Sequence, residues 1–252
     1  MRSGNPALGN AFLDVGSGQL SDRSQGVMTL DGTINKTTVL LALTIIMAAF
    51  TWSMVDGPET MGRVLPLMIG GAIGGLVLAL ITVFKKTWAP VTAPMYALAE
   101  GLFIGGISAY FEMKWPGIVM QAVGLTFGVF AAMLFLYRSR IIKVTAKFKM
   151  GVAAATLGIF AFYLVNFIAS FFGWSSGLLD SSNGSMMSIG FSLIVVGVAA
   201  LNLVLDFDLI EEGGNGGAPK FMEWYAGFAL LVTLVWLYIE MLRLLAKLQS
   251  RD

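Results

Sequence analysis

Seven apolar runs dominate this chain, and each is close to or above the ~20 residues that cross ~30 Å of hydrocarbon. They cover about 37–55, 64–84, 89–111, 116–137, 150–174, 186–210 and 221–248. A stretch that long and that apolar cannot be hidden seven times in a water-soluble core of this size. The composition agrees: 57% of residues are hydrophobic and 12% charged, against roughly a quarter charged in soluble domains. Mean hydropathy is +0.80. The fold class that follows is all-α, a polytopic bundle of seven transmembrane helices. The links are short, so residues 37–252 read as one domain. Its obligatory partner is the lipid bilayer.

Residues 1–36 read as a polar, partly disordered tail, because Gly, Ser and Asp replace the apolar groups needed to fold alone. Ala7 to Val15 could form one short helix before GSGQLSD ends it. No apolar stretch follows Arg2 closely, so the start does not read as a secretory signal.

Basic residues mark the cytoplasmic side of a membrane protein. With the N-terminus inside, eleven of the sixteen Lys and Arg fall on inner segments, including Lys85, Lys86, Arg138, Arg140 and Lys149. Arg63, Lys114, Arg243, Lys247 and Arg251 fall outside. The basic C-terminal end is discordant and leaves open whether the last run crosses fully. The expected location is a cytoplasmic membrane, with the N-terminus in the cytoplasm. A net charge of +1 gives no reason to expect nucleic acid.

The chain has neither Cys nor His. Thiolate sites, disulfides and the usual neutral-pH switch are therefore absent. A metalloprotease helix needs H-E-x-x-H, and the Tyr-Asp and Gly-x-Gly-Asp signatures of intramembrane aspartyl proteases do not occur, so no enzyme is expected. Any pH sensing falls to carboxylates whose burial disfavours the charged form.

Carboxylates inside hydrocarbon are costly and tend to mark ion or proton routes. The sixth run ends LVLDFDLIEE, with Asp206, Asp208, Glu211 and Glu212 in seven residues. Counted from Met186, Asp206 lies ~30 Å along its helix, and Glu100 lies ~16 Å past Ala89, near the midplane. Asp206 and Glu100 are the chief candidates, and Glu100 is expected to share a proton with Asp206 through water. Asp208, Glu211, Glu212 and Glu223 sit at the interface, where a solvated carboxylate costs little. Glu240 could pair with Arg243 or Lys247, or reach outward. Asn166, Asn202 and Gln121 read as interhelical hydrogen-bonding groups, and the glycines 70, 71, 74, 75, 101, 105 and 106 as close-packing positions. No bound cofactor is expected. A carboxylate-only site favours hard cations such as Ca²⁺, held transiently, with Asp206 as the metal-facing ligand.

The sixth run ending LVLDFDLIEE, the last run MEWYAGFALLVTLVWLYIEMLRLLAKL, and RSGNPAL and LDGTINKT near the start resemble the Bax inhibitor-1/YccA-like family, also called TMBIM proteins, in a bacterial branch. The resemblance spans nearly the whole chain. It implies seven helices with the last near the centre, and a pH-sensitive Ca²⁺ leak. In that mechanism two Asp on the last two helices share a proton and latch to a basic residue. Asp206 matches the first Asp. The second falls on Thr233 when the LRLL ending is matched, or on Glu240 when the preceding Leu-Tyr pair is matched. Lys85 or Lys86 stands for the latch. The resemblance also implies two other roles: modulation of a membrane-bound quality-control protease, or proton-coupled transport.

Overall fold

A computed structural model describes residues 26–251. The expected tail up to residue 25, with its short helix at 7–15, lies outside the described residues. Seven helices follow in order: α1 Leu30–Ser53, α2 Pro58–Phe84, α3 Ala89–Lys114, α4 Ile118–Arg138, α5 Ala146–Ser170, α6 Met186–Asn215 and α7 Met222–Gln249. A single 3₁₀ turn, Lys86–Trp88, joins α2 to α3. All seven are long and apolar enough to cross a membrane, and the chain is an integral membrane bundle.

Three helices begin earlier than their apolar runs: α1, α2 and α5, the last at Ala146 behind a Thr145 cap. α1 starts at Leu30, so residues 30–36, read as tail, form its first two turns. The cause is local: the Thr29 hydroxyl accepts from the Gly32 amide at 3.0 Å, and Asp31 complements the helix N-terminus. α2 starts at Pro58, with Glu59 in its first turn, and the Thr60 hydroxyl takes the Asp56 and Gly57 amides at 2.9 and 3.1 Å. A polar turn can be helical wherever caps satisfy its amides, and hydropathy does not register that. α6 likewise runs on to Asn215, five residues past its apolar run. The link EEGGNGGAPK, expected to be flexible, is thus partly helix. Its remainder is tied down by Met28, whose amide donates to Ala218 at 2.7 Å.

The seven directions alternate, giving a proximal end where α1 begins and a distal end where it stops. α7 is the most buried helix and packs against α6, α1, α4 and α3. The core runs along it: Leu230, Leu234, Leu237 and Met241 meet Ile104 of α3, Ala122 of α4, and Ala199 and Leu203 of α6. A second cluster joins Leu231 to Leu40 of α1 and Ala97 of α3. α2, α4 and α5 present Leu76, Met120, Leu157 and Phe160 outward, as a lipid-facing belt would.

Hydrocarbon gives helices no hydrophobic drive to associate, so close approach has to come from small residues. A Cβ on Gly71 would stand 2.6 Å from the Ala99 carbonyl oxygen, and one on Gly101 2.6 Å from that of Thr44. These two positions let α2 and α1 sit directly on α3. Gly105 and Gly106 are similarly enclosed, whereas Gly70 faces open space and has no packing role.

At 28 residues, or ~42 Å, α7 runs from one end of the bundle to the other. Its last turn sits beside Leu178 and Ser188 of the distal α5–α6 link and α6 start.

Candidate proton and cation site

α6 and α7 are antiparallel, and their register can be read from two contacts. Near the proximal end, the Thr233 hydroxyl of α7 adjoins the Asp206 carboxyl of α6. Near the distal end, Lys247 of α7 bonds Ser192 of α6. The two pairs are 14 residues apart on both helices, so one register carries both. Fourteen residues is two heptads, which returns a side chain to the same seam.

Asp206 sits on this seam with one carboxylate oxygen, Oδ2, buried and without a hydrogen-bond partner. An unpartnered carboxylate oxygen in a dry setting is costly. Asp208 and Glu223 also bury one, but each of those side chains pairs with a lysine, whereas Asp206 is in none of the ion pairs among the described residues. The Thr233 hydroxyl already donates to Ala229 at 3.2 Å, so it opposes Asp206 with a neutral, committed group. Tyr225, nearer the start of α7, also lies within the field of Asp206. The Lys86 ammonium stands 5.1 Å from the centre of that Tyr225 ring. Lys86 and Asp206 thus both act on Tyr225, the first over its ring and the second through its field. Lys85 turns to Trp88, its ammonium 4.6 Å from that ring's centre.

The other expected residues lie elsewhere. Glu100 is buried on α3, beside Tyr96 and against Gly75 of α2, where a Cβ would stand 3.0 Å from its Oε2. The structure does not bring Glu100 and Asp206 together, because this face of α3 turns to α2. Glu240 is buried too. It accepts from Arg243 at 2.7 Å and from Tyr163 of α5 at 2.9 Å, so of the two family matches only Thr233 adjoins Asp206. Among the described residues no cluster of three or more acidic side chains forms a metal seat, and Asp206 would meet a cation as a lone carboxylate.

The interfacial carboxylates are more engaged than solvated groups would be. Asp208 pairs with Lys149 of α5 at 2.5 Å, and Glu212 with the same ammonium at 2.8 Å. Glu211 accepts from the Tyr137 hydroxyl and pairs with Arg140. This carboxylate holds the Arg140 guanidinium firmly in its charged form. Together they tie α4 and α5 to the end of α6. Glu223 is fully enclosed, accepting from the Thr29 amide at 3.0 Å, the Thr29 hydroxyl at 2.9 Å and Lys220 at 2.8 Å. Sequence position suggested water there, but the N-terminal residues before α1 cover it.

Asn202 bonds Thr156 of α5 at 2.8 Å, the interhelical role expected. Asn166 instead bonds no other helix: it donates to Phe162 of its own helix at 3.0 Å and accepts from the Ser176 amide of the α5–α6 link at 3.3 Å. Gln121 instead lies exposed on α4. Sequence reading missed Lys247. It is 1% exposed, and a lone basic residue near a chain end carries no pattern that announces burial. With Lys247 enclosed and the half-buried Arg243 paired to Glu240, two of the charges that made the C-terminal end discordant are engaged by the bundle.

One cavity of about 530 Å³ opens between α1, α3, α4 and α7. Its walls are almost wholly apolar, the hydroxyl-bearing lining residues being Thr44, Thr126 and the Ser108–Tyr238 pair at 2.7 Å, and it holds none of the candidate carboxylates.

The comparison with curated proteins gives no match. A model of the family described as Bax inhibitor 1 like matches residues 5–250. With a match that spans the whole seven-helix bundle and its central last helix, the chain belongs to the Bax inhibitor 1 like family of membrane proteins.

Proposed function

We propose that the protein is a pH-sensitive cation leak, with Ca²⁺ as the favoured ion, controlled by protonation of Asp206. The observation that carries this reading is the buried, unpartnered Oδ2 of Asp206 on the α6–α7 seam. Neutral Thr233 can accept a hydrogen bond from a protonated Asp206 but cannot balance a charged one. A charged Asp206 gains most by drawing in a counter-charge, and Lys86, seated over a ring that lies in the field of Asp206, is the candidate. Proton occupancy then decides whether Lys86 is held toward the seam or released. The link between α2 and α3, where Lys86 sits, is a single 3₁₀ turn. It can follow its lysine without disturbing the glycine-packed α2–α3 pair.

Cation movement would follow the α6–α7 seam, where carboxylate oxygen is the ligand type that suits hard ions. A lone carboxylate binds weakly, which suits passage more than storage. The test is dye-reported Ca²⁺ entry into proteoliposomes at graded pH. Asp206→Asn should flatten the pH response, and Lys86→Met should weaken it while Lys85→Met leaves it intact. Equal behaviour of the two lysine variants would reject the latch. A parent protein that passes no Ca²⁺ at any pH would reject the leak.

A further inference from the structure

We propose that the Lys247 ammonium is a tethered internal cation that blocks the distal mouth of the α6–α7 seam. Its Nζ donates to the Leu178 carbonyl oxygen at 2.6 Å, the Ser192 hydroxyl oxygen at 2.8 Å and the Ser188 carbonyl oxygen at 3.3 Å. These are three neutral oxygens, two of them backbone carbonyls, which is the ligand chemistry a desolvated cation seeks. A buried ammonium ordinarily pairs with a carboxylate. Here the nearest acid on the same helix, Glu240, is already committed to Arg243 and Tyr163. The ammonium is therefore held directly by neutral oxygens alone, while Glu240, and Asp180 of the α5–α6 link, act on its charge from a distance without bonding it.

The shared register gives this charge its role. Asp206 and Thr233 stand at one end of the seam, and Ser192 and Lys247 at the other. Fourteen residues at ~1.5 Å each separate them by about 21 Å. Between them α6 presents Val195, Ala199 and Leu203, and α7 presents Leu237 and Leu244, all buried. A cation moving along this seam would meet a positive charge seated in the oxygens it would otherwise use. The distal link is wrapped onto the same helix end. Gly184 stands against the Arg251 backbone, where a Cβ would approach to 3.1 Å, and the Ser188 hydroxyl donates to the same Leu178 oxygen at 3.2 Å. Lys247 thus positions the α5–α6 link as well as charging the mouth.

The inference rests on the leak reading for its consequence but is tested without it. In this cysteine-free chain, Val195→Cys puts a single thiol one turn inside the seat. The probe is a trimethylammonium thiosulfonate added to reconstituted protein. The thiol should react slowly with Lys247 present and at least about tenfold faster in Lys247→Met, since removing a like charge raises local cation concentration by such factors. Lys247→Arg should keep the slow rate. Where Lys247→Met does not reconstitute, Lys247→Gln takes its place, removing the charge while keeping a donor for the same oxygens. Its thiol should also react at least about tenfold faster than the parent's. Unchanged modification in the folded variant, Lys247→Met or Lys247→Gln, overturns the block. Loss of flux response in Asp206→Asn without a change here, or the reverse, tells the two ideas apart.

Discussion

Glu223→Ala tests how the bundle's proximal end is closed. The Glu223 carboxylate takes both the amide and the hydroxyl of Thr29, at 3.0 and 2.9 Å, in an enclosed pocket. Hydrogen bonds to a charged group contribute about 1.5–3 kcal/mol each. Lys220 is 47% exposed, so its pairing adds at most about 1 kcal/mol. Against this, Oε2 of Glu223 is buried without a partner, and its removal relieves about 1–3 kcal/mol of desolvation. The net loss is about 3 kcal/mol, or roughly 150-fold in the opening equilibrium of the α1 start. Hydrogen exchange in nanodiscs, read on peptides spanning residues 27–33, measures that opening. Exchange there should accelerate by about this factor while the centre of α7 stays protected. Glu223→Gln, which retains an acceptor oxygen, should show a smaller effect. Unchanged exchange in Glu223→Ala would mean that Thr29 does not hold α1 to α7, and that residues 26–36 close nothing.

Gly101→Val should cost about 1–3 kcal/mol by overpacking, because its side chain meets the Thr44 carbonyl oxygen of α1; a thermal melt in detergent shows whether the midpoint falls. A double-mutant cycle of Lys149→Met with Asp208→Asn should return about 1 kcal/mol or less of coupling, since Lys149 is 40% exposed, and added salt should diminish it. Single cysteines at Ser176 and Ser250 should label from the same side of the membrane and Thr145 from the other; labelling of Ser250 with Thr145 would contradict a full crossing by α7. The positive-inside pattern further predicts Thr145 on the cytoplasmic side.

The seven helices were legible because hydrocarbon imposes a length that ordinary sequence does not reach by accident. Helix starts were not, since Thr29 and Thr60 work through caps that hydropathy ignores. The meeting of Asp206 with Thr233 came from matching the LRLL ending, not from composition. Depth set Glu100 and Asp206 at different heights, to be joined only through water, but depth does not fix azimuth, and Gly75 shows that Glu100 turns to α2. The same limit hid the proximal ion pairs: Lys149 and Glu212 are 63 residues apart, and only the packing of α5 on α6 joins them. Lys247 lay beyond sequence reading altogether. Its partners are two carbonyls and a serine hydroxyl, groups that any chain offers everywhere.

The claim at the centre of this account is that the proton on Asp206 sets cation passage. The most direct measurement is Ca²⁺ flux through purified protein in liposomes, from pH 5 to pH 8, for the parent and for Asp206→Asn. The asparagine cannot ionise, so the account predicts a parent curve that bends with pH and a variant curve that is flat. A variant with the parent's pH dependence would place the switch elsewhere and contradict the account.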